Sequence, residues 1–373
     1  MKKSVLTLAV AGVILAAQSA SAAVVYDKDG TEMTIGGRVQ AVFYNGNTGL
    51  MENKDHTISD NVRLNVGGRT KLYDGIYGFG FWEHQWSHDG NSAESTSTKT
   101  RDAYVGVDFE KFGLIKAGRY SGAVYYVTEL TDLFEDYGFA GTVLDDQRNS
   151  GKITYSWNGY GIDVNLECQT AVNNYILPGY IEDEINIKGG FAASLGYTSP
   201  DVLFGPISIR AGYEYLKGQS KEEISASALN NVKSWAVGLS WGGEEGPILA
   251  GQFNLRDFKF RHGTIDDDGN LVPDYKAIGF EIVAGYNFAC GVSIVAGYES
   301  LKYDFKDNED HGLSYRDYTS RKVPVYVNYE VNPNFNVWTE AQFDANSSNI
   351  KDADNERLVS DKALFALGAR YSF

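Results

Sequence analysis

Proline is scarce in this chain, 7 among 373 residues, and no Pro-, Ser- or Gly-rich linker interrupts it. One large unit is therefore expected rather than several domains. Only two cysteines are present, Cys168 and Cys290, with no CxxC spacing and no histidine-rich neighbourhood, so neither a disulfide scaffold nor a zinc site is supported. Past the N-terminus no stretch approaches the ~20 continuous apolar residues that a transmembrane helix requires. Basic residues fall short of acidic ones, 33 against 49, for a net charge of −16. A surface that binds polyanions needs a concentrated positive field, so nucleic acid is not an expected partner and cations are a better one. The mean hydropathy is −0.30, and charged residues make up 22%.

Glycine (41 residues) and aromatics (13%) are both plentiful. Residues 1–22 carry Lys2 and Lys3, an apolar run from Val5 to Ala17, and the small-x-small end Ala20-Ser21-Ala22, the pattern of a secretory signal peptide. The mature chain is expected to start at Ala23. Losing the two lysines takes its net charge from −16 to −18.

From there the chain alternates with period two. Val62, Leu64 and Val66 interleave with Arg63, Asn65 and Gly67, and Val292, Ile294, Ala296 and Tyr298 with Ser293, Val295, Gly297 and Glu299. Convincing amphipathic helices are absent. The pattern predicts sixteen strands, at about 34–44, 61–72, 76–87, 100–109, 114–120, 147–157, 161–171, 189–199, 206–216, 232–242, 247–258, 275–288, 292–303, 319–330, 335–345 and 360–373. Seven tight turns rich in Gly, Pro and Asn, such as Asp74-Gly75, alternate with eight long polar loops. That asymmetry suits an all-β, even-stranded, up-and-down antiparallel barrel spanning a membrane over residues 23–373, with short periplasmic turns and long extracellular loops.

In the last strand Ala363, Phe365, Leu367, Ala369, Tyr371 and Phe373 share one face, while Arg370 and Ser372 take the other. The first and last strands should pair, because an open edge in hydrocarbon leaves backbone groups unsatisfied at several kcal/mol each. About sixteen strands enclose an aqueous channel, whereas about eight are filled by side chains.

Particular blocks carry a resemblance. They are Val25-Tyr26-Asp27-Lys28-Asp29-Gly30, Trp82-Glu83-His84-Gln85-Trp86, Gly90-Asn91-Ser92-Ala93-Glu94-Ser95, Ala117-Gly118-Arg119-Tyr120, Val124-Tyr125-Tyr126-Val127-Thr128, Thr131-Asp132 and the terminal Tyr371-Ser372-Phe373. In this order and spacing the chain resembles the general, non-specific porins of Gram-negative outer membranes. The resemblance implies a homotrimer of water-filled barrels in the outer membrane, among outer-membrane lipid and lipopolysaccharide, passing small hydrophilic solutes and ions with no cofactor. It also implies that the third loop, about 121–146, folds into the lumen. Asp132 and Asp136 match the family's acidic constriction positions, and Glu135 stands where the family has proline. Arg38, Arg63, Arg119 and Arg148 match its basic ladder, and Glu94 matches the latch over the neighbouring subunit.

Arginine suits a ladder, since it stays charged at physiological pH and presents a rigid fork. Opposed charges across a narrow wet gap would orient dipolar solutes. The net charge favours cations and the four arginines oppose them locally. A substrate-specific sugar or anion porin is the alternative, and a barrel enzyme or a surface adhesin stands further off. His84 and His88 share a strand face without any metal-binding frame, and Asp266-Asp267-Asp268 lacks the ligand spacing of a calcium loop, so no metal is expected. No GxSxG elbow, P-loop or dinucleotide fingerprint is present, and no enzyme activity is expected. Cys168 and Cys290 fall near opposite rims and are expected as free thiols.

Overall fold

The computed structural model describes residues 22–45, 57–88, 96–146, 148–179, 184–219, 229–261, 272–306, 317–346 and 363–373. The expected signal peptide up to residue 21, Glu94 and the Asp266 to Asp268 triplet lie outside the described residues.

The strands are β1 (Ala23–Lys28), β2 (Thr31–Tyr44), β3 (Thr57–Tyr73), β4 (Ile76–His88), β5 (Thr96–Asp108), β6 (Leu114–Ser121), β7 (Arg148–Gly159), β8 (Ile162–Gln169), β9 (Val172–Ile176), β10 (Glu184–Thr198), β11 (Ile207–Gly218), β12 (Leu229–Gly242), β13 (Gly246–Phe260), β14 (Tyr275–Asn287), β15 (Val292–Phe305), β16 (Tyr318–Asn332), β17 (Phe335–Asp344) and β18 (Leu364–Ser372). The long strands pair antiparallel with their sequence neighbours. The wall closes where β18 pairs with β2, from Ala366 against Tyr44 to Ser372 against Arg38. Gly37 and Phe373 then exchange backbone hydrogen bonds of 2.8 and 3.0 Å. Because β1 and β9 continue other positions in the wall, the circuit is sixteen strands around, as the alternation predicts.

Those two short strands escape the sequence pattern, and their cause is shared. β18 covers only Arg38 to Tyr44 of β2, which leaves Thr31 to Ile35 as a bare edge, and β1 pairs with that edge. Likewise β8 covers Tyr197 to Gly190 of β10, and β9 pairs beyond it with Glu184 to Ile187. An uncovered row of N–H and C=O groups recruits whatever chain lies nearby.

Alternation sorts the faces. On β13, Leu249 and Phe253 are 45% and 43% exposed on the outer surface, while Gln252, Asn254 and Arg256 are buried within. Apolar side chains thus face the lipid side and polar ones the lumen. No helix among the described residues is long and apolar enough to cross a membrane. The lumen also holds a dry patch on one side, where Val127, Val143, Leu144, Leu177, Ile187, Val232 and Phe258 pack together. Its source is the loop between β6 and β7, which turns inward. Cys168, near the end of β8, and Cys290, in the turn before β15, are both free and exposed.

Candidate functional site

After β6 the chain makes one short helix, α1 (Tyr125–Thr128), then a 3-10 turn over Glu129–Thr131, and continues to Asp146 without regular structure, through a bend at 135–137 and a turn at 140–141. Val124 and Val127 are buried against the inner wall of β11 and β12. The wall makes room with glycine. A Cβ on Gly238 would lie 2.9 Å from the Val127 carbonyl oxygen, and one on Gly279 only 2.1 Å from that of Gly141. Any larger residue there would push the loop toward the middle of the channel.

Three buried glutamates on the wall hold this irregular limb. Glu340 on β17 accepts the backbone N–H groups of Glu135, Asp136 and Tyr137 at 2.9, 3.0 and 2.6 Å. Glu299 on β15 accepts that of Phe139 at 2.6 Å, and Glu281 on β14 accepts that of Gly141 at 2.8 Å and the Thr131 hydroxyl. An intramolecular hydrogen bond contributes about 0.5–1.5 kcal/mol, and several act here together. The tip of the loop is thereby bonded to the wall.

The tip carboxylates have different fates. Asp132 accepts the Tyr125 hydroxyl at 2.7 Å at an exposed place on the loop. Asp136 is clamped between the Tyr44 hydroxyl and the Trp338 indole N–H, both at 2.7 Å. Glu135 faces the lumen and pairs with Arg370 at 2.8 Å. Desolvation against the loop, with Asp146 and Glu135 nearby, pushes the Asp132 carboxyl up to about 6 despite the Tyr125 bond. Asp146 at the far end of the loop goes the other way. Burial would raise it, but Arg148 and Arg101 outweigh burial and hold it below the usual carboxylate range.

Arg38 and Arg63 sit opposite each other in the β2–β3 register, as two rungs of one ladder. Arg63 donates to the neutral Gln85 at 2.8 Å, and the Nε of Arg38 is buried with no hydrogen-bond partner among the described residues. Arg148 pairs with the buried Asp102 at 2.8 Å and with Asp146. Arg119 is a correction. It pairs in register with Ala103, on the pleat opposite to Lys116 and Tyr120, whose rings and ammonium meet inside the barrel, and its Nε donates to the Thr100 carbonyl at 2.8 Å. The bulge that skips Arg101 between Glu83 and His84 puts that arginine inside instead, bonded to Glu83 and Asp146 at 3.0 Å each. Simple alternation along β5 and β6 cannot reveal this, because a bulge shifts the inward parity by one residue.

Two more arginines that hold the loop escape the sequence reading. Arg370 holds Glu135, and Arg210 on β11 holds Glu129 and the Tyr126 carbonyl beneath the start of the loop. Nothing short of the fold brings these pairs together, since 235 and 81 positions separate the partners. On the outer face His84 lies between Trp82 and Trp86, and His88 bonds Asp60 at 2.7 Å. No group of three or more His, Cys, Asp or Glu side chains among the described residues is arranged to hold a metal ion.

Known proteins share this architecture. The family model described as Gram-negative porin matches residues 6–315. The outer membrane porin PhoE of Enterobacter cloacae is 30% identical over the whole of both chains. Among solved structures, the Salmonella typhi OmpF complex with daunomycin matches with a TM-score of 0.72 and 19% identity, over 93% of this chain and 99% of that one. The trimer form of OmpT, an outer membrane protein of Vibrio cholerae, matches at 0.64 and 15%, over 92% and 100%. A closed sixteen-stranded barrel of this kind resides in the outer membrane, and the chain belongs to the Gram-negative porin family.

Proposed function

We propose that this porin is a general diffusion channel, through which small hydrophilic solutes and ions pass down their gradients without cofactor, energy coupling or catalysis. What carries the assignment is the inward loop, fixed to the wall by Glu281, Glu299 and Glu340 so that Asp132, Glu135 and Asp136 border the lumen together with Arg38, Arg63 and Arg148. Charges of both signs around one aperture admit hydrated polar solutes and penalise apolar ones, and they hold the preference for either ion sign weak.

The working unit is proposed to be a homotrimer, set in outer-membrane lipid and lipopolysaccharide after removal of residues 1–22. Glu94 is assigned the latch onto a neighbouring subunit. The outward placement of Arg119 suits a subunit contact better than a ladder rung.

An anion-preferring channel is the second reading, favoured by Arg38 and Arg63, which form no ion pair among the described residues. Single-channel recording in a planar bilayer under a salt gradient tests both. Large steps closing in threes with a small reversal potential support the general channel. A reversal potential near the anion limit, or block by micromolar solute, supports the second reading and rejects the first.

A further inference from the structure

Arg370 lies at the closing seam of the barrel, and its side chain joins that seam to the tip of the constriction loop. Its Nε and Nη2 both donate to the Gln40 amide oxygen on β2, at 3.0 and 2.9 Å. Its Nη1 donates to Glu135 at 2.8 Å, and Nη2 bonds the second oxygen of the same carboxylate. The guanidinium also lies 5.0 Å from the centre of the Trp338 ring on β17, and the indole N–H of Trp338 in turn holds Asp136. Gln40 fixes the fork so that the opposite edge presents two parallel donors to Glu135, the bidentate arrangement that gives the strongest arginine–carboxylate pairs. Only 12% of the Arg370 side chain and 24% of that of Glu135 are exposed, so water screens the pair little.

We propose that Arg370 is a selectivity-determining and positioning residue of the channel, which cancels the charge of Glu135 and fastens the loop tip across the seam formed by β17, β18 and β2. The proposal rests on the channel reading above and adds what holds its ion preference weak. With Arg370 present, the tip offers permeating ions the unpaired carboxylates Asp132 and Asp136 against the unpaired guanidinium groups Arg38 and Arg63. Without it a third carboxylate joins the acidic side at the narrowest place, and the tip is left to Glu340 and to the bonds of Asp136.

The test uses the full mature chain refolded and inserted in planar bilayers, with R370Q, E135Q and the exchanged pair R370E/E135R. Gln40 tolerates the exchange, because its amide can turn and donate to a carboxylate. R370Q is expected to move the reversal potential severalfold further toward the cation limit than its wild-type offset and to add brief closures. E135Q is expected to move it toward anions with similar closures. The exchanged pair should restore both the wild-type reversal potential and the quiet open channel. An unchanged reversal potential in R370Q, or an exchanged pair as noisy as the single variants, overturns the proposal.

A second measurement separates this from failure of the channel reading. If the wild type passes no current, the channel reading falls, and the pair is judged by the temperature at which the folded band gives way to the unfolded one on a gel. Lower temperatures for both single variants with recovery in the exchanged pair uphold the fastening. No recovery overturns it.

Discussion

The carboxylate of Glu340 accepts the backbone N–H of Tyr137 at 2.6 Å, across 203 positions of sequence, and the two preceding amides share the same carboxylate. Three donors on one acceptor make a nest that the tip of the loop closes around a wall side chain. At about 0.5–1.5 kcal/mol for each hydrogen bond, removing the three together exceeds thermal energy severalfold. E340A should therefore free the tip, giving larger conductance steps with frequent partial closures in bilayer recordings, while E340Q, which keeps an acceptor oxygen, should lie between. Unchanged steps in E340A would show that the tip is held elsewhere.

Gly279 is the second control on aperture. The hypothetical Cβ only 2.1 Å from the Gly141 carbonyl oxygen means that no side chain fits between loop and wall. G279V is expected to displace the limb from Ala140 to Thr142 into the lumen and to break the bond from Gly141 to Glu281. Swelling rates of proteoliposomes in sugars of rising size should then fall, most for the largest sugar. Wild-type rates for every sugar would contradict a close contact at Gly279.

How much of this was legible in the sequence depends on whether the cause is local. The sixteen wall strands follow from period-two alternation, because lipid on one side and water on the other impose it residue by residue. Asp132, Asp136, Arg38, Arg63 and Arg148 could be named because each matches a family position within its own stretch of chain, and Arg38 and Arg63 stand opposite each other in the β2–β3 register. The rest depends on position in space. β1 and β9 exist because neighbouring strands end early, Arg101 meets Glu83 and Asp146 because a bulge shifts parity, and Arg370 meets Glu135 only when the last strand closes on the first. Sequence periodicity carries no information about a stagger or a seam.

Ion preference should depend on pH through Asp132. Its pKa is raised to about 6, so the group is protonated and neutral below that value and charged above it. Asp146 stays ionised over the same range, because Arg148 and Arg101 hold it low. As pH rises from about 5 to about 7, one negative charge appears at the loop and the cation permeability ratio should increase, with a midpoint near the raised value. D132N should flatten that step while leaving the loop bound to Glu340. A reversal potential that drifts equally with pH in wild type and D132N would assign the titration to another group.

The basic ladder should divide by function and stability. Arg38 and Arg63 face each other directly across two strands, a like-charge pair that costs about 0.2–1 kcal/mol rather than stabilising the wall. R38Q/R63Q should therefore shift the reversal potential toward cations and leave the gel transition of the folded band at the wild-type temperature or slightly above it. Arg148 is different, since its partner Asp102 is only 1% exposed and would be left as a buried, unpaired charge. Removing one member of such a pair costs about 3–5 kcal/mol. R148Q should lower the transition temperature clearly, and R148Q combined with D102N should recover most of the loss. If R38Q/R63Q were the destabilised variant and R148Q the silent one, Arg38 and Arg63 would be structural groups and the charge at the aperture would have to come from Arg148 and Arg101.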